Sequence, residues 1–139
     1  MRLRPHRSQW AAAAFAVAAL AGCSGSDGST DSTPTKQLQG TFTITYAAGN
    51  ADPCGPAPDH PDLVDGAPVM VLDGAGTVIA EGLLGDGTAE ADTCVREFRV
   101  ENVPDVAGFR VTVGSYGPID VTAEALTAAG GALDLRLGL

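Results

Sequence analysis

Between residues 38 and 46 apolar and polar side chains alternate. Leu38, Phe42, Ile44 and Tyr46 share one face, while Gln39, Thr41, Thr43 and Thr45 share the other. A period of two predicts a half-buried strand, because successive side chains of an extended chain point to opposite faces. The alternation then stops: Ala47 to Ala67 sets prolines among acidic and small residues without periodicity, which predicts a long loop. Pro68–Leu72 and Thr77–Leu84 are apolar runs rich in β-branched residues. Between them, Asp73-Gly74-Ala75-Gly76 supplies the positive-φ positions of a hairpin.

Gly85-Asp86-Gly87-Thr88 predicts the next turn. Cys94 to Val103 resumes as a strand, with Cys94, Phe98 and Val100 on one face and Glu97, Arg99 and Glu101 on the other. After Val103-Pro104-Asp105, a further strand places Phe109, Val111 and Val113 opposite Arg110 and Thr112, and it stops at Gly114. The last strand spans Ala132 to Gly138, with Leu133, Leu135 and Leu137 facing in. Ala123–Ala129 departs from this pattern, being built of helix formers between Thr122, a suitable N-cap, and the stop Gly130-Gly131. Short strands at close spacing with one helical turn before the last predict an all-β fold. The form expected is a small antiparallel β-sandwich with Greek-key connections, of the immunoglobulin-like or prealbumin-like kind; a small barrel has the same pattern.

Ahead of this domain lies a different composition. Arg2, Arg4 and Arg7 form a positive head, Ala11 to Ala21 is uninterruptedly apolar, and Leu20-Ala21-Gly22 precedes Cys23. The run is about half of the ~20 residues a helix needs to cross a bilayer, and its order is that of a secretory signal. Leu-Ala-Gly-Cys resembles the bacterial lipoprotein signal. That resemblance implies cleavage before Cys23 and a diacylglycerol on its sulfur, two acyl chains being about what stable anchoring requires. Ser24 to Thr35 (SGSDGSTDSTPT) has nothing to bury and reads as a disordered tether with a reach of roughly 20 Å. The expected organisation is therefore a signal peptide over 1–22, a lipidated cysteine and tether over 23–36, and a β-domain over 37–139. The location this implies is the extracytoplasmic face of the cell membrane.

With the three arginines removed, five basic residues face 17 acidic ones, a net charge of −12. Such a surface repels phosphate backbones, so no nucleic-acid partner is expected. Assigning Cys23 to lipid leaves Cys54 and Cys94 in a compartment that permits oxidation, and they are expected to pair; two free thiols or a metal site are the alternatives. Closing that loop contributes about 4 kcal/mol in the chain-entropy account.

Val69 to Gly114 resembles prealbumin-like or carboxypeptidase-regulatory-like sandwich modules in its strands, Asp-Gly turn and aromatic-x-Val strands. More closely, the chain resembles a group of uncharacterised actinobacterial lipoproteins. The matching residues are Leu20-Ala21-Gly22-Cys23, Asp62-Leu63, Gly66, Val69-Met70-Val71-Leu72-Asp73, Cys94, Phe98, Val100 and Val103-Pro104. Phe109 to Gly114 and the closing leucine strand complete them. Arg96 stands where that group usually has an inward aromatic, and Gly131 replaces a common Trp. The resemblance implies fold and location and carries no catalytic or ligand residues.

The densest chemistry lies in residues 52–65, where Asp59, His60, Asp62 and Asp65 could offer ligands to Ca²⁺ or a transition metal. The spacing fits neither an EF-hand nor a zinc signature, and a solvated, proline-stiffened loop accounts for the same residues. Serine nucleophile chemistry would have to join His60 to Ser115, the only serine beyond the tether, without a G-x-S-x-G elbow. No enzymatic activity and no cofactor beyond the covalent lipid are therefore expected. Tyr116 reads as a turn residue packing back over the sandwich edge, or as an exposed contact. The leading expectation is a non-catalytic binding or envelope-interaction module. A metal-binding lipoprotein using the 52–65 loop and an accessory subunit of an envelope enzyme are the alternatives.

Overall fold

The computed structural model describes residues 33–139; the expected signal sequence, Cys23 and most of the expected tether lie outside the described residues. Among the described residues, seven strands and one helix follow in chain order: β1 (Thr35–Thr45), β2 (Pro68–Leu72), β3 (Val78–Glu90), β4 (Thr93–Pro104), β5 (Gly108–Val113), β6 (Tyr116–Thr122), α1 (Ala123–Ala128) and β7 (Ala132–Gly138). The fold is all-β with one short helix before the last strand, as the patterning implies. Its strands form one hydrogen-bonded sheet, in the order β6-β5-β2-β3-β4-β1-β7, that curls into a half-barrel. All pairs are antiparallel except β1 with β7. Two halves of one curled sheet thus enclose the core that a sandwich would hold between two sheets.

The curl follows from the connection between the edges. β6 and β7 lie at opposite ends of the sheet, which laid flat would span roughly 29 Å at the usual strand spacing. Only residues 123–131 join them, and with six of those in helix the link reaches roughly 20–25 Å. The edges must therefore approach. Tyr116 of β6 donates its hydroxyl to the Arg136 carbonyl of β7 at 3.1 Å and sets its ring 5.6 Å from that of Phe42 on β1.

Glycines let the sheet bend this sharply. A Cβ on Gly40 would overlap the Leu133 carbonyl of β7, and one on Gly82 the Arg99 carbonyl of β4. Leu38, Phe42, Ile44, Val69, Val71, Phe98, Val100, Phe109, Val111, Val113 and Leu135 fill the concave side, where alternation places them. On β4 the inward face shifts from Val100 to Val103. Asn102 takes φ 57° there, and the β1–β4 register slips between Lys36 and Leu38.

Strand β1 starts at Thr35, two residues inside the expected tether, and Lys36 pairs with Asp105 at 3.0 Å. The Asp73–Thr77 turn forms as expected: Asp73 accepts the amides of Ala75 and Thr77, each at 2.9 Å. Thr122 caps α1 by accepting the Ala125 amide, and Gly130 and Gly131 end it at positive φ. Two expectations need correction. Gly85-Asp86-Gly87-Thr88 is no turn: β3 runs through it with a register shift between Leu84 and Gly87, and the chain reverses at Ala91-Asp92. Nor is Tyr116 a turn residue, since it opens β6. That strand is masked in the sequence by Gly117 and Pro118, and a proline that cannot donate is tolerated because β6 is an edge.

Candidate functional site: the proline-rich loop

Residues 46–67 contain no strand or helix, yet this segment is fastened at several points. Local turns shape it, with the His60 amide on the Ala57 carbonyl at 3.2 Å, Leu63 on His60 at 3.1 Å and Ala67 on Val64 at 3.0 Å. Ala57, Leu63 and Ala67 point into the protein and are buried, while Pro56, Pro58, Asp59 and Pro61 stay exposed. The Leu84 amide then donates to the Ala67 carbonyl and the Gly66 amide to the Leu84 carbonyl, each at 2.9 Å, handing the loop on to β2.

One anchor is covalent. Cys54 and Cys94 form the expected disulfide, with Cα atoms 5.1 Å apart. Beside it lies Arg96, the inward-facing charge on β4. Its side chain is 1% exposed and pairs at 3.0 Å with Asp65, whose side chain is 58% exposed. Arg96 also donates to the Cys54 carbonyl at 2.8 Å and to the Cys94 sulfur at 2.6 Å. The same Asp65 carboxylate accepts the Gly87 amide at 3.1 Å. Gly87 is required here, because a Cβ would overlap Arg96 Nη1 and both sulfurs.

The other anchor is polar. Asp62 accepts the Ser115 amide at 2.5 Å and the Ser115 hydroxyl at 2.7 Å, and His60 Nδ1 stands 3.0 Å from the same hydroxyl oxygen. The Ser115 hydrogen bond holds the Asp62 carboxyl below its ordinary range, against a smaller opposing effect of desolvation. His60 meets the Tyr116 ring edge-on at 6.3 Å. Gly114, at φ 51°, leaves the room that Asp62 occupies.

With the serine proton committed to Asp62, His60 donates from Nδ1 to Ser115 Oγ, so hydrogen bonding runs from His60 through Ser115 to Asp62. Nucleophile activation needs the opposite direction, with histidine accepting the serine proton and the carboxylate orienting the histidine. What the arrangement does is lock the loop onto the β5–β6 turn.

The four residues proposed as metal ligands do not act as one set. His60 and Asp62 converge on Ser115, Asp65 turns to Arg96 and Gly87, and Asp59 is exposed. Among the described residues no group of three His, Cys, Asp or Glu stands close enough to hold an ion. Asp62 and Asp65 are each engaged by partners of this chain.

Sequence reading missed Arg96 and Ser115 as anchors. Their partners are 31 and 53 residues away, and only Arg96 left a signal, as a charge on an otherwise apolar face. A concavity of about 650 Å³ lies along the sheet beside Gln39, Thr41, Glu97 and Arg99, with Leu83 62% exposed at its side. No family model, no curated protein and no solved structure matches the chain.

Proposed function

We propose that this chain is a lipid-anchored lipoprotein of the extracytoplasmic membrane face that works by contact. In this reading Cys23 carries the diacylglycerol, residues 24–34 act as tether, and the proline-rich loop is the surface presented to one envelope protein. The observation that carries the reading is the fastening of that loop. It is held by a disulfide, by the Arg96–Asp65 pair and by the Asp62–Ser115 bonds, while Pro56, Pro58, Asp59 and Pro61 remain outside. A loop already fixed in shape loses little conformational entropy on binding, the property a recognition surface needs. Prolines add stiffness, and Asp52 and Asp59 favour a partner with basic groups.

The direction of the His60–Ser115–Asp62 hydrogen bonds favours a non-catalytic role over hydrolysis. Photocrosslinking in intact membranes tests the proposal. A photoreactive residue at position 59 is expected to capture one dominant envelope protein, and the same probe at position 101, on the outward face of β4, is expected to capture none. Equal, diffuse labelling from both positions contradicts it.

A further inference from the structure

The surroundings of the disulfide are ill suited to an inert staple. Arg96 is buried beside it with an incomplete set of partners: Nε has none among the described residues, and Nη1 rests on Cys94 Sγ, a weak acceptor while it is part of a disulfide. A thiolate in the same place would be a strong one. The two cysteines also differ in exposure, since Cys94 is fully buried on β4 whereas Cys54, on the loop, is partly exposed. Gly87 keeps the space around guanidinium and sulfurs free of any side chain.

We propose that Cys54–Cys94 is a thiol–disulfide exchange site for an external dithiol, with Cys54 as the sulfur attacked and Cys94 as the leaving thiolate received by Arg96. One thiolate of the dithiol attacks Cys54 Sγ. The Cys54–Cys94 bond breaks, its electron pair leaves with Cys94, and a mixed disulfide forms on Cys54. The second thiol of the dithiol loses its proton to solvent and attacks its own sulfur in that mixed disulfide. Cys54 is released as a thiolate and takes a proton from solvent. Two electrons pass to the protein and the dithiol becomes a cyclic disulfide; the proton given up by its second thiol is matched by the one Cys54 takes, so the only proton left in solution is the one lost when the attacking thiol first ionised.

The groups around Cys94 include one full positive charge, Arg96. Asp65 offsets part of it from the solvent side, and the Tyr46 hydroxyl and Asp52 lie near enough to interact with each other, and Tyr46 with Arg96. Burial pushes the Tyr46 hydroxyl upward, so it stays neutral over the working range. The balance beside Cys94 favours the thiolate.

The test uses the full chain with Cys23→Ser, so that Cys54 and Cys94 are the two cysteines left to be counted. Under excess reduced glutathione followed by acid quench, fragment mass spectrometry is expected to find the adduct on Cys54; an adduct chiefly on Cys94 overturns the proposal. Equilibrium with dithiothreitol redox buffers is then compared among the parent, Arg96→Met and Arg96→Lys. Arg96→Met is expected to lower the equilibrium fraction reduced, by about tenfold in the exchange constant, or ~30 mV for the two-electron couple. Arg96→Lys should restore part of that. An unchanged constant in Arg96→Met overturns it.

The Cys54→Ala chain gives a separate reading, through the pH dependence of Cys94 alkylation. A midpoint below about 8.5, the value of a free cysteine, is expected, and one at or above it counts against Arg96 as receiver. The adduct and redox experiments need no Cys54 variant, so they decide the matter even where that chain is poorly folded.

Discussion

Arg96 and Asp65 meet at 3.0 Å across the boundary between core and solvent, the guanidinium enclosed and the carboxylate wet. The pair joins β4 to the loop 31 residues earlier in the chain, so a charge on the inward face of a strand becomes the tie for a segment without regular structure. Removing the carboxylate leaves a buried cation with only the Cys54 carbonyl and a sulfur. Asp65→Ala is expected to cost about 1–3 kcal/mol, below the range for a fully enclosed pair because water reaches Asp65. The double variant Asp65→Ala/Arg96→Met should be less destabilised than the sum of the singles, since no charge is then stranded. Denaturant unfolding of the four proteins measures the coupling, and strict additivity contradicts the tie.

Gly87 provides a sterically cleaner test. Gly87→Ala places a methyl group against Arg96 and both sulfurs, and is expected to cost about 1–3 kcal/mol, as overpacking does. Gly74→Ala, at a turn position with open space around it, should stay within about 0.5 kcal/mol of the parent. Thermal melts of the two alanine variants check the contrast.

Asp62 gives the loop a dependence on acid. Its carboxyl titrates lower in the folded protein than when unfolded, chiefly because Ser115 donates to it. The stabilisation is therefore complete above the unfolded value of about 3.9 and is lost as pH falls through the lowered folded value. Carboxyl NMR titration should place Asp62 below the ordinary carboxylate range, and Ser115→Ala should return it toward that range. No movement in Ser115→Ala would show that the serine bond does not set it.

Closure of the half-barrel rests partly on Tyr116. Tyr116→Phe keeps the ring against Phe42 and removes only the bond to the Arg136 carbonyl. The expected loss is about 0.5–1.5 kcal/mol, and faster amide hydrogen exchange should be confined to β7 and the end of β6. Unchanged exchange at β7 contradicts a closing role.

Much of the scaffold can be read from side-chain order. Leu38, Phe42 and Ile44, Val69 and Val71, and Leu133 to Leu137 follow period two and point where that period places them. Thr122 and the Asp73 turn act locally, so short-range chemistry is enough to find them. The errors share one cause. Gly85 and Gly87 look like turn residues because a glycine pair is most often one, but at Gly87 the absent side chain answers to a guanidinium and two sulfurs brought by other parts of the chain. Gly117 and Pro118 hide β6 in the same way, an edge strand tolerating what an inner one does not. The loop anchors were illegible for a stronger reason. His60, Asp62 and Ser115, like Asp65 and Arg96, meet only after the sheet has curled, and no local spacing encodes that.

Intact-mass spectrometry of the protein purified from membranes tests most directly the proposal that the chain lies outside the membrane on a lipid fastened to Cys23. The account predicts a mature chain beginning at Cys23, heavier than its residues by a diacylglyceryl group, with Cys54 and Cys94 two hydrogens short of free thiols. A chain that retains Met1 to Gly22 and carries an unmodified Cys23 would contradict it.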